Sequence, residues 1–255
     1  MQLEVAGLVS GYGKVTVLHG VDLKASSGEI VVVLGPNGAG KTTLMKTIAG
    51  HLPATGGTAT LGGRHLAGLA PQQVARLGVG YVPQDHNVFR ELTVRDNLRV
   101  ASLAFPDAAQ RTDGVFDRFP ILAERASQRA ATLSGGERQT LAVSCALIAE
   151  PKVLLLDEPT AGLAPLFVGQ MVKWVSSLAA EGMAVVWVVE QSPEKILAAS
   201  ARACLLEGGR STTELDSGEL LAPGRLQELL LEGRDKTPPP RPNDTETTTR
   251  TKKPT

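Results

Sequence analysis

Apolar and polar positions change period several times along the chain, and the changes divide it into elements. Residues 2–9, Gln2-Leu3-Glu4-Val5-Ala6-Gly7-Leu8-Val9, alternate with the two-residue period of a half-buried strand. Val15 to Leu23 reads as its return after a turn at Gly11-Tyr12-Gly13. Ser26-Ser27-Gly28-Glu29 turns the chain into Ile30-Val31-Val32-Val33-Leu34, a short β-branched run without alternation, as a strand buried on both faces requires. Lys41 to Ala49 is rich in helix formers and stops before Gly50, which suits a left-handed C-terminal cap. Glycine pairs at 56–57 and 62–63 bracket Thr58 to Leu61 in the manner of a hairpin or meander. Pro71 to Leu77 predicts a short helix, and Gly78 to Val82 a strand ending at Pro83-Gln84.

From Thr93 to Ala149 the strand signals vanish. Thr93 to Leu103, Gly114 to Phe119 and Glu137 to Ala149 all suit helices, which predicts a helical insertion between two halves of an α/β core. After Pro151 the alternation resumes, with strands at Val153 to Leu156, Met183 to Val189 and Ala203 to Leu206, and helices at Leu166 to Ala180, Pro193 to Ala199 and Pro223 to Leu231. Such alternation predicts fold class α/β, a mostly parallel sheet with helices on both faces. Residues 233–255 carry no apolar side chain beyond proline, and their Thr, Pro and charge cannot offset chain entropy, so a disordered tail is expected there.

Composition narrows the function classes. The 255 residues include 26 Lys+Arg and 26 Asp+Glu, and this balance argues against a broad nucleic-acid-binding surface. The two cysteines, Cys145 and Cys204, lie far apart in apolar surroundings and read as inert thiols of a reduced compartment. Gln2 and Glu4 stand where a signal peptide would be basic, and no apolar run approaches the ~20 residues that span a bilayer.

Three stretches carry chemistry. The first is Gly35-Pro36-Asn37-Gly38-Ala39-Gly40-Lys41-Thr42, which fits G-x-x-x-x-G-K-[ST] between a predicted strand and a predicted helix. Glycines let backbone N–H groups turn inward on a phosphate chain, and the helix N-terminus adds partial positive charge. Lys41 can neutralise β- and γ-phosphates, and the Thr42 hydroxyl can ligate Mg²⁺. The second is Val153-Leu154-Leu155-Leu156-Asp157-Glu158, an apolar strand ending in two carboxylates: Asp157 is placed to hold Mg²⁺, and Glu158 to accept a proton from an attacking water or to orient it. Taken without the glycine loop, the pair would read as two solvated acids. The third is Leu133-Ser134-Gly135-Gly136-Glu137, where Ser134 and Glu137 form a capping box. This is an ordinary cap or a second anion site; since one phosphate loop is already present, a second suggests closure on a nucleotide held by another subunit.

Together these stretches resemble the ATP-binding subunit of an ATP-binding-cassette (ABC) transporter over about residues 2–231. The resemblance implies a P-loop cassette at residues 1–232, with an N-terminal antiparallel β subdomain and a helical subdomain at about 90–150. It implies an ATP site built by Gly35 to Thr43, with Mg²⁺ at Thr42, Gln84 and Asp157, and hydrolysis by Glu158 assisted by Gln84 and Gln191. Ser134, Gly135 and Gly136 would close on the nucleotide of a second ATPase subunit, a heterodimer being favoured. Tyr12, by itself a turn aromatic, falls where the family stacks a ring on adenine. Transmembrane permease subunits would dock near Gln84, Phe89 and Leu92 at the cytoplasmic face of the membrane, fed by an extracytoplasmic solute-binding protein. Gly162-Leu163-Ala164-Pro165, Val189-Glu190-Gln191, Arg76-Leu77-Gly78-Val79, Asn87-Val88-Phe89 and Leu92-Thr93-Val94 look like the ATPases of branched-chain amino acid importers, a pattern shared with ATPases for urea or amides. Two positions depart from the wider family: Gln191 replaces a γ-phosphate histidine and cannot carry a proton, and Ala164 replaces an aspartate. They leave a second expectation standing, a non-hydrolysing switch that dimerises on ATP. A soluble member acting in translation or repair fits less well, because the chain has one cassette and no long coiled-coil insertion.

Overall fold

The computed structural model describes residues 1–103, 105, 107–190, 193–226 and 228. In chain order, β1 (Gln2–Tyr12) and β2 (Val15–Ser26) form a hairpin that leads into β3 (Ile30–Leu34) and α1 (Lys41–Ile48). β4 (Ala54–Leu61) and the two-residue β5 (Arg64–His65) follow, then α2 (Pro71–Leu77) and β6 (Val79–Val82). The helical insertion comprises α3 (Val94–Ser102), α4 (Ala108–Arg118), α5 (Pro120–Glu124), a 3₁₀ turn at Ala130–Thr132 and α6 (Gly135–Leu147). The second half runs β7 (Val153–Asp157), α7 (Pro165–Ala180), β8 (Ala184–Val188), α8 (Glu194–Leu197), β9 (Arg202–Glu207), β10 (Arg210–Asp216) and α9 (Ser217–Leu220).

Among the described residues the strands form two sheets. The smaller is antiparallel, in order β2-β1-β4-β5, and the larger runs β10-β9-β3-β8-β7-β6. Every pairing from β9 to β6 is parallel, and only β10 is antiparallel, at the edge. The parallel strands are apolar throughout because both of their faces are covered, and their residues divide with period two. Ile30, Val32, Leu154, Leu156, Val185 and Trp187 enter one core with α6, α7 and the insertion. Val31, Val33, Val153, Leu155, Val186 and Val188 enter the other, with α1 and the antiparallel sheet. β3 therefore joins the two cores, and its C-terminal end, like those of β7 and β8, emerges on one rim of the sheet.

The structure extends several elements beyond the sequence reading. β1 runs through Tyr12, so the turn is the pair Gly13-Lys14, with Tyr12 opposite Val15. β4 starts at Ala54, because pairing with β1 carries strand geometry through Gly56 and Gly57. α5, β10 and α9 have no counterpart in the apolar pattern. Arg225, Leu226 and Glu228 are helical, whereas residues 227 and 229–255, with the rest of the expected 223–231 helix and the tail, lie outside the described residues. Both cysteines are free, and burial pushes the Cys145 thiol up to about 12 and Cys204 up to about 11, as inert thiols require. Among the described residues no helix is long and apolar enough to cross a membrane.

The polar edge strand β10 is held by charge instead of apolar burial. Arg202 on β9 pairs with Glu214 on β10, donates to Glu29 Oε2 at 3.1 Å, and donates to the Lys24 carbonyl on β2 at 2.8 Å. Burial pushes the Glu29 carboxyl up, but the Arg202 guanidinium and the Ser26 N–H outweigh it and hold it below its ordinary value. Arg202→Met should cost about 2 kcal/mol of unfolding free energy at neutral pH, the scale of hydrogen bonds to charged groups. Because a depressed carboxylate stabilises above its unfolded pKa and loses that contribution as pH falls through its folded pKa, the gap between wild type and variant should narrow in acid. Urea denaturation of both proteins across that range checks the sign.

Candidate active site

The rim begins with the loop after β3. Gly35 has φ 154° and sits so close to β9 that a Cβ there would lie 2.1 Å from the Leu206 carbonyl oxygen, a distance no side chain tolerates. The chain then turns through Pro36 to Gly40 into α1, whose first-turn N–H groups have no intrahelical partner. Lys41 is buried, and its Nζ donates to the carbonyls of Gly35 at 2.8 Å and Pro36 at 3.1 Å. Two of the three ammonium donors are thus engaged at the loop, and the positive charge is held beneath it. Thr43 is buried, and its carbonyl accepts from Thr47.

The next residue toward solvent, Thr42, joins the loop to the other end of the site. Its hydroxyl donates to Asp157 Oδ1 at 3.1 Å, and the Tyr81 hydroxyl reaches Asp157 Oδ2 at 3.4 Å. Asp157 is 1% exposed, and burial raises its pKa against the opposing pull of Thr42, Tyr81, Lys46 and Lys41. Burial and the neighbouring aspartate raise the Tyr81 phenol as well, so it stays a neutral donor. A threonine hydroxyl beside a carboxylate is a hard oxygen donor pair, and the site fits Mg²⁺ that takes its remaining ligands from phosphate and water.

Glu158 leaves the line of β7 because its backbone turns left-handed, φ 51°, an uncommon conformation for a non-glycine residue. Its N–H still bonds to the Val188 carbonyl at 3.2 Å, which keeps the residue beside β8, and Gln84 Nε2 donates to its Oε2 at 2.9 Å. Glu158 and Glu190 line one cleft of about 360 Å³ with Thr160, Leu163 and Val168. Burial, then the charge and hydrogen bond of Glu190, push Glu158 up to about 7, opposed by Lys41.

Ser134 caps α6 as its sequence predicts. Its Oγ accepts from Glu137 N at 3.3 Å while Glu137 Oε2 accepts from Ser134 N at 2.9 Å, and Arg125 fixes the same carboxylate from the other side at 2.7 Å. Among the described residues, Ser134, Gly135 and Gly136 share no hydrogen bond with the loop at 35–43, Asp157 or Glu158. Within the described residues the glycine loop and the capped α6 N-terminus stand apart.

The family model for ABC transporters matches residues 18–161, which include the glycine loop, the capped serine and both carboxylates. The chain belongs to the ABC transporter family of ATP-binding subunits. It is 39% identical over 224 residues to the high-affinity branched-chain amino acid transport ATP-binding protein BraG of Pseudomonas aeruginosa, covering 87% of this chain and 96% of that protein. It is 36% identical over 231 residues to a probable branched-chain amino acid transport ATP-binding protein, LivF, of Archaeoglobus fulgidus, covering 90% and 98%. A solved nucleotide-free ATP-binding cassette from an ABC transporter superposes with a TM-score of 0.81 at 23% identity, over 93% of this chain and 100% of that one, which shows the fold. The protein is thus an ABC ATPase subunit, homologous to those of branched-chain amino acid importers.

In this ABC ATPase the structure brings together Lys41, Thr42, Gln84, Asp157 and Glu158, and sets Ser134, Gly135 and Gly136 apart. Tyr12 ends β1 at a hairpin tip, 46% exposed beside the 67% exposed Val15, so a flat apolar face is open to solvent. Gln191 lies outside the described residues. Ala164 is the N-cap of α7 and gives it no side-chain hydrogen bond; Pro165 opens the helix instead. Sequence reasoning gave no role to Tyr81 or Glu190. Tyr81 meets Asp157 only through the pairing of β6 with β7, which no spacing in the sequence announces, while Glu190 was visible only as part of a subgroup motif. Two further links were unseen: Asn87 Nδ2 donates to Gln139 on α6 at 3.0 Å, and Asn97 clamps the loop that exposes Phe89, accepting from Phe89 N at 2.8 Å and donating to the Thr93 carbonyl at 2.9 Å. Because Glu190 raises the Glu158 pKa, Glu190→Gln should move the acidic limb of the kcat/KM profile for ATP hydrolysis to lower pH, kcat/KM being the parameter that reports the free enzyme. An initial-rate pH series on both proteins measures that shift.

Proposed function

We propose that this ATPase hydrolyses MgATP in a pair of cassettes and drives import of branched-chain amino acids, or closely related polar solutes, through a membrane permease. The observation that supports it most is the cluster on the rim, where Thr42 meets Asp157 and Gln84 meets Glu158 within hydrogen-bond distance. Lys41 and the α1 N-terminus take the phosphates, and Tyr12 offers its ring to the adenine. Magnesium would be held by Thr42 and Asp157, with Gln84 at its edge, and would supply neutralising charge at the phosphates. Glu158 orients the water and accepts its proton, and the Gln84 amide fixes the carboxylate for that task.

The signature half belongs to the second subunit. Ser134, Gly135 and Gly136 present the orphan N–H groups and positive end of α6 to the γ-phosphate across the interface, so neither chain is a complete enzyme alone. The relatives are named as branched-chain amino acid transport ATP-binding proteins, and this is what supports the solute assignment. A heterodimer with an unlike sibling ATPase fits that subgroup. The exposed Phe89, held by Asn97 and linked to α6 through Asn87 and Gln139, is the surface proposed for the permease, and the protein would sit peripherally at the cytoplasmic membrane face. A binding protein outside the membrane would deliver the solute.

Glu158→Gln keeps the Gln84 contact as an amide pair but removes the proton acceptor. Turnover should fall by a factor of at least about 100, the usual contribution of a general base, while ATP-driven pairing persists and lengthens. Phosphate release and size-exclusion chromatography with ATP measure both. Wild-type protein that pairs on ATP without releasing phosphate would instead favour the non-hydrolysing switch.

A further inference from the structure

α6 opens with two glycines, and the second of them has no backbone reason to be one. Gly136 is helical with an ordinary negative φ, and a glycine inside a helix costs about 1 kcal/mol against alanine. The reason lies in the same chain. A Cβ on Gly136 would fall 2.2 Å from Phe167 Cδ1, 2.5 Å from Cγ and 2.6 Å from Cε1, an overlap with the ring that real Cβ atoms do not show. The neighbouring Gly135 is looser, its Cβ reaching only Leu163 Cδ2 at 3.3 Å. Phe167 stands in the first turn of α7, its N–H bonded to the Ala164 carbonyl at 2.9 Å. Behind it, the segment from Glu158 is held by consecutive turns, with Ala161 N–H on the Glu158 carbonyl and Leu163 N–H on that of Thr160, both at 3.2 Å.

We propose that Phe167 is a positioning residue for the signature: its ring is a wedge against the backbone at Gly136, and it fixes the angle at which the α6 N-terminus faces a partner's nucleotide. This deepens the cross-subunit role proposed for Ser134–Gly136 and rests on it. The ring is rigid, with two χ angles, whereas the Ser134–Glu137–Arg125 cap fixes only the local turn of α6. The cap makes the anion site, and the wedge aims it. The second glycine is then required by its own chain's α7, whatever approaches it from the partner.

A double-mutant cycle in the full chain, purified with the subunits it retains, tests this. Gly136→Ala should lower ATP turnover at least tenfold. Phe167→Ala should raise the KM for MgATP about fivefold with kcat within twofold, and Phe167→Leu should restore most of the loss. The double variant Gly136→Ala/Phe167→Ala should recover to within about threefold of Phe167→Ala alone, because the ring that excludes the Cβ is gone. Binding of a fluorescent ATP analogue to each variant, which reads the chain's own loop, should stay within twofold and certify folding. A double variant as inactive as Gly136→Ala overturns the wedge, as does an unchanged KM in Phe167→Ala or a Gly136→Ala protein of full activity. Ser134→Arg separates this from the underlying reading: full turnover in that variant removes the cross-subunit role itself, whereas loss there beside an active Gly136→Ala removes only the wedge.

Discussion

The site depends on one buried charge and what compensates it. Asp157 ends a central strand with 1% of its surface exposed, where taking an ionised carboxylate out of water costs several kcal/mol. The strand cannot release it, since β7 is hydrogen-bonded on both sides by β6 and β8. Thr42, Tyr81 and the nearby lysines offset part of the cost, yet the net pull on the pKa is still upward. The divalent cation proposed for this site would complete the compensation. On that reading the demand for a cation originates in the parallel sheet, and the glycine loop lies at the rim where three strand ends bring α1 against that carboxylate.

The same logic governs the two groups on either side. Lys41 is buried against carbonyls of its own loop, so its charge is desolvated and directed before any phosphate arrives. Glu158 is the reverse case: a left-handed backbone takes it off the strand, Gln84 fixes it, and Glu190 and burial hold it partly protonated near neutrality. A cation under the loop and a carboxylate above it, each away from its comfortable state, are electrostatic preorganisation for a polyanion that must be both held and attacked. Backbone strain at Glu158 is tolerated because sheet and turn hydrogen bonds surround it.

How much of this the chain declares depends on how local the cause is. β3, the glycine loop, α1, β7 and the Ser134 capping box are set by periodicity and by neighbours within four residues, and each was readable with its ends nearly right. β10 was not, because Arg210-Ser211-Thr212-Thr213-Glu214-Leu215-Asp216 shows one buried-type residue in seven and is held by Arg202 and by pairing with β9. α5 and α9 are too short, at five and four residues, to establish a helical period. Tyr81 and Glu190 join the site only because β6 and β8 flank β7, which is a fact of strand order and not of spacing. Gly136 was legible as a glycine of a known motif, but its physical cause, a ring thirty-one positions later, was not.

The glycine loop and the α6 N-terminus do not meet within the described residues. The loop and Asp157 are rigid because the sheet makes them so, and the α6 N-terminus is rigid because its cap and the α7 ring make it so. Both pack on the same sheet, and no hydrogen bond among the described residues closes the α6 N-terminus onto the loop or Asp157. Closing them within one chain would saturate the orphan N–H groups of α6 permanently and leave nothing for the nucleotide to change. Left apart, they are free, on the pairing proposed above, to meet on the phosphates held by a second subunit; the free energy of nucleotide binding would then drive association, and loss of the γ-phosphate shared by both would return the pair to its separated state.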